Sequence, residues 1–260
     1  MQGEAVARFE TIVMEVSSHG IATVLLNRPD RRNAFNRLML SELSMVLDEI
    51  AADPGVRVTV LRGKGGHFCA GADLAEWERG EPDLPAGPTL LDVLASLDNL
   101  PKPTIAAVDG GAIGGGAAIV ACCDIALATD AAFFSIPEVR VGMAPVRLAP
   151  LFIRAIGHRG FRRYGLTGER MTAEEALRLG LVHQLCAAQS IDSALADVAD
   201  ALLHGAPGAI AELKAALSRL ATPPWPAADT NIGQGLAKTP EATEGIASFR
   251  DKRKPSWYPT

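Results

Sequence analysis

PTIAAVDGGAIGGGAAIVACCDIALATDAAFFSIPE, residues 103–138, is the stretch of sequence that decides the fold. Its pattern predicts a strand, a glycine turn, a helix of small residues, two further strands and then a carboxylate. Gly114, Gly115 and Gly116 open the predicted helix, where glycine allows close approach of the backbone to a ligand. A helix N-terminus presents unpaired N–H groups and a positive dipole end. These features predict a site for a developing oxyanion, with Glu138 moving the proton.

Length and composition restrict the class of protein. The 260 residues are 48% hydrophobic with a mean hydropathy of +0.15, so the chain can bury a sizeable core. A net charge of −5 argues against binding to nucleic acid or to a membrane surface. The four cysteines have no metal-ligand spacing, and we expect no metal site and a reduced, cytoplasmic compartment. No signal peptide and no charge-free run of membrane-span length is evident.

The rest of the chain alternates strands and helices. Two β-rich runs, residues 11–16 and 21–26, predict a hairpin, and apolar residues at helical spacing predict a helix over residues 38–51. A strand over residues 56–62 follows, and the charged, Gly- and Pro-rich residues 76–88 predict a surface loop. This alternation predicts an α/β fold with parallel strands and covering helices.

The second half of the chain is predicted to become helical. Residues 89–100 and 148–156 have helical patterns, a loop is predicted over residues 139–145, and residues 172–175 are predicted to form a capping box. A short strand is predicted over 182–186. From residue 191 onward only helices are predicted, over residues 191–204, 207–220 and 240–254.

Six segments, in order and spread over nearly the whole chain, resemble the enoyl-CoA hydratase/isomerase (crotonase) family. They are residues 26–29, 68–74 (FCAGADL), 102–108, 114–116 with Cys123-Asp124, Pro137-Glu138, and 249–255. The resemblance implies a crotonase-type spiral of ββα units over residues 1–190, which holds the CoA and active sites. It also implies a helical trimerisation region over residues 191–260, in a homotrimer or a hexamer built as a dimer of trimers.

The resemblance also implies a chemistry. Members bind acyl-CoA thioesters and stabilise an enolate at the thioester oxygen, which by position assigns the oxyanion hole to the backbone N–H groups of Ala72 and Gly115. Glu138 matches the second of two glutamates that typical hydratases carry, whereas Ala118 stands at the position of the first. No cofactor is implied other than the coenzyme A carried by the substrate, and no nucleic acid or membrane partner.

Three functions remain open at this point. Hydration of a 2-enoyl-CoA by a single glutamate comes first, Δ3,Δ2-enoyl-CoA isomerisation second, and a non-catalytic acyl-CoA-binding subunit third. Residues 135–145 are similar to a bacterial branch that hydrates methylglutaconyl- or isohexenylglutaconyl-type CoA esters. Substrates of that branch carry a second carboxylate, which Arg140 or Arg147 would meet unless these arginines are structural or surface groups.

Family position places the CoA site on the loop of residues 28–34 and on neighbouring backbone. Asp30 replaces a lysine often found there, and the following Arg31 and Arg32 are candidates for the phosphates. Lys252 and Lys254 are candidates for a CoA bound in a neighbouring subunit, with a solvated surface as the alternative for all of these cations. Asp73 is also a candidate helix cap. The full set of candidate substrate-binding residues is Arg28, Arg31, Arg32, Ala34, Ala70, Gly71, Asp73, Leu74, Gly114 and Pro137.

Overall fold

A computed structural model describes residues 9–79, 87–220 and 239–258. Within them the strands are β1 (Ile12–Val16), β2 (Ile21–Leu26), β3 (Val58–Gly63), β4 (Thr104–Val108), β5 (Gly111–Ile113), β6 (Ile125–Thr129), β7 (Phe133–Ser135), β8 (Arg170–Thr172) and β9 (Gln184–Cys186). The helices are α1 (Arg37–Ala52), α2 (Leu74–Arg79), α3 (Leu90–Asp98), α4 (Gly115–Cys122), α5 (Ala149–Thr167), α6 (Ala173–Leu179), α7 (Ile191–Leu203), α8 (Pro207–Leu220) and α9 (Pro240–Arg250). Short 3-10 turns cover Pro29–Arg31, Glu138–Val141 and Ala188–Ser190.

The strands form two sheets between which the chain repeatedly crosses. The six-stranded sheet has the order β1-β2-β3-β4-β6-β9, in which β1 and β2 form the predicted antiparallel hairpin and the other neighbours are parallel. The three-stranded sheet has the order β5-β7-β8. From β4 the chain enters the small sheet as β5, returns through α4 to β6, and enters the small sheet again as β7. The units β4-β5-α4 and β6-β7-α5 thus each add one strand to each sheet and one helix, and the order of elements along the chain confirms the predicted α/β alternation.

Apolar side chains fill both faces of the six-stranded sheet. The larger core joins Val24 of β2 and Leu61 of β3 to helices α1, α3 and α4. A smaller cluster on the other face joins Val58 and Val60 of β3 to α7, because successive strand residues point to opposite faces. Each fully buried aliphatic side chain contributes about 1.5–3 kcal/mol. Helix α7, the first of the predicted region 191–260, therefore covers the sheet; the division at residue 190 stays a prediction.

Four short elements differ from the sequence prediction. Helix α2 occupies the start of the predicted loop 76–88, and the turn Glu138–Val141 occupies the start of the predicted loop 139–145. Strand β5 lies within the predicted glycine turn, and β8 is an additional strand. Elements of three to six residues are too short for a periodic pattern, and β8 depends on antiparallel pairing with β7. Residues 80–86 of the predicted loop lie outside the described residues.

The start of α6 differs from the predicted capping box. Thr172 Oγ1 accepts a hydrogen bond from the Glu175 N–H at 3.3 Å, as expected. The Glu175 carboxylate, however, binds Arg178 at 2.6 Å instead of returning to the Thr172 N–H. At the start of α3 both halves of a box form, between Thr89 and Asp92. An ion pair one turn away therefore outweighs the second capping bond at α6.

The loop of residues 28–34 is anchored by one buried amide. Asn33 is fully buried and has a φ of +56°. Its Nδ2 donates to the Lys64 carbonyl at 2.9 Å and to the His67 carbonyl at 2.7 Å, while its Oδ1 accepts from the Arg28 N–H at 2.9 Å. The loop is thereby fixed to the turn that follows β3.

We expect Asn33→Ala to lower the free energy of unfolding by about 1–3 kcal/mol, because three backbone groups lose their partner. Urea unfolding followed by circular dichroism measures this loss. Asn99→Ala is the matched control, since Asn99 is exposed and its amide makes a single bond, to the Ala95 carbonyl. An Asn33→Ala loss no larger than that of the control would contradict the anchoring role.

Candidate active site

Two backbone segments lie side by side at the centre of the site. Cys69 N–H donates to the Gly111 carbonyl at 3.1 Å, and Ile113 N–H donates to the Cys69 carbonyl at 2.9 Å. Gly71 has a φ of +86°, and a Cβ there would lie 2.9 Å from the Ile113 carbonyl oxygen. A Cβ at Gly116 would lie 2.8 Å from the Cys69 Cβ. Glycine is therefore required on both segments for this approach.

The two predicted oxyanion donors meet where these segments touch. Phe35 forms a parallel bridge with Ala72 through the Gly71 carbonyl and the Asp73 N–H, so the Ala72 N–H points away from that bridge. Gly115 is the first residue of α4, and among the described residues neither its N–H nor that of Ala72 has a hydrogen-bond acceptor. Both N–H groups are therefore available to an anionic ligand atom at the N-terminus of α4.

Glu138 reaches the same place from β7. The Gly114 N–H donates to the Ser135 carbonyl at 2.8 Å, and Glu138 begins the 3-10 turn that follows β7. A Cβ at Gly114 would lie 2.8 Å from Glu138 Oε1, so the carboxylate rests against the Gly114 backbone. Its Oε2 is buried and has no hydrogen-bond partner among the described residues. Burial raises the pKa of Glu138 to about 7, a value suited to proton transfer near neutrality.

No second carboxylate accompanies Glu138 at the position that the family pattern indicates. Ala118 lies one turn into α4, is fully buried and belongs to the main core. No charged side chain contributes to the shift of the Glu138 pKa. Within the described part of the chain, Glu138 is therefore the carboxylate that rests against the Gly114 backbone at the N-terminus of α4.

Arg28 and Asp73 are engaged with each other. Arg28 Nη2 lies 2.9 Å from Asp73 Oδ2, and its Nη1 donates to the Ala34 carbonyl at 2.5 Å. Burial of Asp73 raises its pKa, but the Arg28 hydrogen bond and charge, with the N–H groups of Glu76 and Ala75, lower it below the ordinary value overall. These N–H contacts agree with the predicted capping of α2 by Asp73.

The remaining candidate CoA residues differ in exposure and in the element that carries them. Arg31 and Arg32 are exposed, and the Arg32 carbonyl accepts the Ala70 N–H at 3.0 Å. Leu74 is half-buried at the start of α2, and Pro137 is half-buried directly before Glu138. Their contacts with CoA, like those of Arg28, Ala34, Ala70, Gly71, Asp73 and Gly114, stay predictions.

The other predicted cations lie on the surface. Arg140 Nε donates to the Thr167 carbonyl at 2.9 Å, which gives this arginine a structural contact. Arg147 is exposed. Lys252 is exposed too, and the Lys254 Nζ lies 3.9 Å from the centre of the Tyr258 ring. Their predicted roles toward a substrate carboxylate or a neighbouring CoA remain predictions.

Two apolar side chains at the site were not predicted from the sequence. A Cβ at Gly115 would lie 2.6 Å from Leu90 Cδ2 and 2.7 Å from Phe35 Cε1. Leu90 and Phe35 therefore form an apolar wall against the Gly115 backbone. A single sequence offers no signal for them, because one lies in a loop and the other in the first turn of a helix, each far along the chain from Gly115.

Comparison with known proteins identifies the family. The family model described as enoyl-CoA hydratase/isomerase matches residues 16–259. The chain belongs to the enoyl-CoA hydratase/isomerase family. It is an enzyme of this type with the crotonase fold that the six sequence segments predict, whereas the bacterial branch suggested by residues 135–145 stays a prediction.

Two members of the enoyl-CoA hydratase/isomerase family and one solved structure illustrate the likeness. The chain is 34% identical to a putative enoyl-CoA hydratase of Thermus thermophilus, over 94% of this chain and 99% of that protein. It is 34% identical to the carnitinyl-CoA dehydratase of Citrobacter koseri, over 94% and 97%. The crystal structure of an enoyl-CoA hydratase from Mycobacterium avium subsp. paratuberculosis matches with a TM-score of 0.84 and 29% identity, over 96% and 100%.

The described ranges of this enoyl-CoA hydratase/isomerase family member contain neither a helix that could span a membrane nor a cluster of metal-binding side chains. None of the helices there has the length and apolar character needed to cross a membrane. The same residues contain no group of three or more His, Cys, Asp or Glu side chains arranged to hold a metal ion. The predictions of no metal and no cofactor remain predictions.

We expect Glu138→Gln to raise the free energy of unfolding by about 2–3 kcal/mol at pH 8 and to change it little at pH 4. The folded-state pKa of about 7 lies above the ordinary value of 4.5, so folding favours the neutral carboxyl. This contribution is complete below pH 4.5 and is lost as the pH rises through 7, whereas glutamine stays neutral throughout. Urea unfolding at the two pH values measures the difference.

Glu174→Gln is the matched control for this prediction. Glu174 is exposed, and its hydrogen bond with Thr172 lowers its pKa, so this variant should show no gain at pH 8. A Glu138→Gln gain of equal size at pH 4 and pH 8 would contradict the burial of an ionisable Glu138.

Proposed function

We propose that this enzyme adds water to the double bond of a 2-enoyl-CoA thioester, with Glu138 as its single acid/base group. The observation that carries the proposal is the arrangement at the N-terminus of α4. There a buried carboxylate lies against Gly114, beside the N–H groups of Ala72 and Gly115. Within the described ranges one oxygen of this carboxylate has no hydrogen-bond partner and neither N–H group has an acceptor. This combination suits the formation of an enolate: the N–H groups receive the negative charge and the carboxylate moves the proton.

The thioester oxygen is bound by the N–H groups of Ala72 and Gly115. Electron density moves onto this oxygen as the nucleophile adds to C3, so the two hydrogen bonds strengthen between the ground state and the enolate. Each such donor lowers the barrier by about 3 kcal/mol. The apolar wall of Phe35 and Leu90 keeps bulk water from the Gly115 donor, which increases the electrostatic effect of the hydrogen bond.

Glu138 carries out both proton transfers in this scheme. Its carboxylate takes one proton from water while the hydroxyl oxygen bonds to C3 and the π electrons move toward the thioester oxygen. The neutral Glu138 then donates that proton to C2 as the enolate collapses to the thioester. Since burial raises the pKa of Glu138 to about 7, both the charged and the neutral states are accessible near neutral pH.

Isomerisation is the second candidate, and Ala118 is the observation that favours it. An isomerase needs one carboxylate to remove a proton from C2 of a 3-enoyl-CoA and to return it at C4, with the same oxyanion hole. The relatives support hydration instead: one is named as a putative enoyl-CoA hydratase and another as a dehydratase of carnitinyl-CoA. A non-catalytic acyl-CoA-binding subunit is disfavoured, because such a role does not require a buried Glu138 with an unpartnered oxygen.

The finer details of the proposal follow from family position. They comprise a homotrimer or hexamer built by residues 191–260, a cytoplasmic location, CoA contacts along residues 28–34 and 70–74, and a substrate of the carboxylated branch. Because Arg140 is bonded to the Thr167 carbonyl, we propose the exposed Arg147 as the partner of a substrate carboxylate.

We expect Glu138→Gln to reduce kcat for hydration by about 10²–10⁴-fold, because glutamine cannot transfer a proton. The assay follows loss of the conjugated thioester absorbance over a panel of straight-chain, branched and carboxylated 2-enoyl-CoAs. The 2-enoyl-CoAs and the corresponding 3-enoyl-CoAs are then incubated in heavy-oxygen water. Hydration places the oxygen label on C3 of the product, whereas isomerisation of a 3-enoyl-CoA gives an unlabelled 2-enoyl-CoA, so the label distinguishes the two functions. Glu174→Gln is the control; full activity of Glu138→Gln would refute the assignment.

The dependence of kcat/KM on pH forms a separate prediction. The first step needs the Glu138 carboxylate, so kcat/KM is expected to rise with pH through an apparent pKa of about 7 and then to level off. Initial rates between pH 5 and pH 9 at low substrate concentration measure this limb. A limb near the ordinary carboxyl value of 4.5 would show that the free enzyme holds Glu138 in a more solvated setting.

A further inference from the structure

The turn that carries Glu138 is short, and its backbone hydrogen bonds, including those of the Gly142 N–H to the Glu138 and Val139 carbonyls, all lie within residues 137–143. It is a 3-10 turn of four residues, Glu138–Val141, and ends at Gly142, which has a φ of +72°. The Arg140 N–H donates to the Pro137 carbonyl at 2.8 Å, and the Met143 N–H donates to the Glu138 carbonyl at 3.0 Å. A single short turn is marginal by itself, so its neighbours determine where the Glu138 carboxylate lies.

Helix α9 supplies the closest of these neighbours. A Cβ at Gly142 would lie 2.6 Å from the Ala242 nitrogen of α9, and a Cβ at Gly245 of α9 would lie 2.7 Å from the Val141 Cα and carbonyl oxygen. Ala242 is fully buried, as is Ser248, whose Oγ donates to the Gly245 carbonyl at 2.9 Å. Helix and turn thus meet backbone to backbone, with a glycine on each side.

The end of α5 supports the turn at another point. Arg140 Nε donates to the Thr167 carbonyl at 2.9 Å, and a Cβ at Gly168 would lie 2.9 Å from that same Nε. This contact is made by the long side chain of Arg140, which is an exposed residue. The contact with α9 is the more rigid of the two, because it involves backbone atoms on both sides.

We propose that α9 positions Glu138, with Gly142 and Gly245 as positioning residues that let the helix fix the turn and the burial of its carboxylate. The inference rests on the proposed function in one respect, the role of Glu138 as the acid/base group. It makes the chain from residue 239 onward part of the active centre, although Gly245 follows Glu138 by more than a hundred residues and touches no reacting atom.

The charged groups around the turn do not account for the raised pKa of Glu138. They are Arg140 on the turn and Glu241 and Glu244 on α9; Glu244 is paired with Arg253 at 2.7 Å. None of the three contributes to the shift of the Glu138 pKa, which has burial as its cause. A displaced turn would therefore change Glu138 through its position and solvation.

The test compares Gly245→Ala with Gly208→Ala in the wild-type background. Gly208 lies in α8, and a Cβ there meets nothing within 4 Å, so the control makes the same substitution in a helix without a clash. We expect Gly245→Ala to lower kcat about 10–100-fold, to change KM about twofold or less, and to move the limb of the pH profile toward the ordinary carboxyl range. A general loss of stability would reduce the amount of folded enzyme and leave the pH profile unmoved.

A direct titration makes the outcome independent of turnover. The Cδ signal of Glu138, assigned by its absence in Glu138→Gln, is followed by carbon-13 NMR against pH in wild type, Gly245→Ala and Gly208→Ala. A lower midpoint in Gly245→Ala alone supports the proposal. If wild type turns over no enoyl-CoA, the proposed function fails while this titration still decides the positioning role.

A milder pair of variants covers the case in which Gly245→Ala does not fold. Ala242→Gly removes a buried methyl group from the residue whose backbone nitrogen faces Gly142, and Ala209→Gly makes the same change at an exposed position of α8. We expect a smaller fall in kcat and a smaller shift of the midpoint for Ala242→Gly than for Gly245→Ala, and neither for Ala209→Gly. A folded Gly245→Ala or Ala242→Gly with the wild-type kcat, pH profile and Glu138 midpoint would overturn the proposal.

Discussion

The contact between the backbone of residues 69–72 and that of residues 111–116 is the constraint on which the site depends. Gly71 and Gly116 leave no room for a Cβ on the facing sides, so the two segments approach at backbone distance. At that distance two backbone hydrogen bonds at Cys69 join the segment after β3 to β5. The consequence is chemical as well as structural, because the Ala72 N–H and the start of α4 are brought together by contacts that exclude every larger residue.

The position of the carboxylate follows from the same hydrogen-bonding pattern. Strand β7 pairs with β5 in a register that places Ser135 opposite Ile113, and the next bond along joins the Gly114 N–H to the Ser135 carbonyl. Glu138 follows three residues later, as the first residue of the 3-10 turn that comes after β7. The register between β5 and β7 therefore sets the position of Glu138. A shift of one residue in this register would place the side chains of β7 on the opposite face of the sheet and would move the carboxylate away from Gly114.

The sequence predicts those elements whose formation depends on residues close together along the chain. The β1–β2 hairpin, α1 and the glycine start of α4 follow from periodicity, turn residues and the freedom of glycine, so the sequence indicates them directly. The strand β8, the turn at Glu138 and the wall of Phe35 and Leu90 beside Gly115 depend on partners that are distant in sequence. The lost half of the cap at Thr172 has a local cause, the ion pair between Glu175 and Arg178, which competes for the same carboxylate. Ala72 and Gly115 were recognisable because they lie in glycine-containing motifs, and Glu138 because it matches the family pattern. The supports around them were not, because no local pattern marks a contact between segments that lie tens of residues apart.

Ala118, in place of a second carboxylate, changes which interactions set the pKa of Glu138. A carboxylate there would place a second negative charge near Glu138 and would raise its pKa through repulsion as well as burial. With a core methyl group instead, burial is the cause that raises the pKa, and the value of about 7 leaves the group nearly balanced between accepting and donating a proton at neutral pH. One group that is balanced in this way can serve successive steps, provided that its burial is held constant. The rigid backbone contacts around its turn thus become part of the acid–base chemistry, since a shift of the turn would alter the solvation that sets the balance.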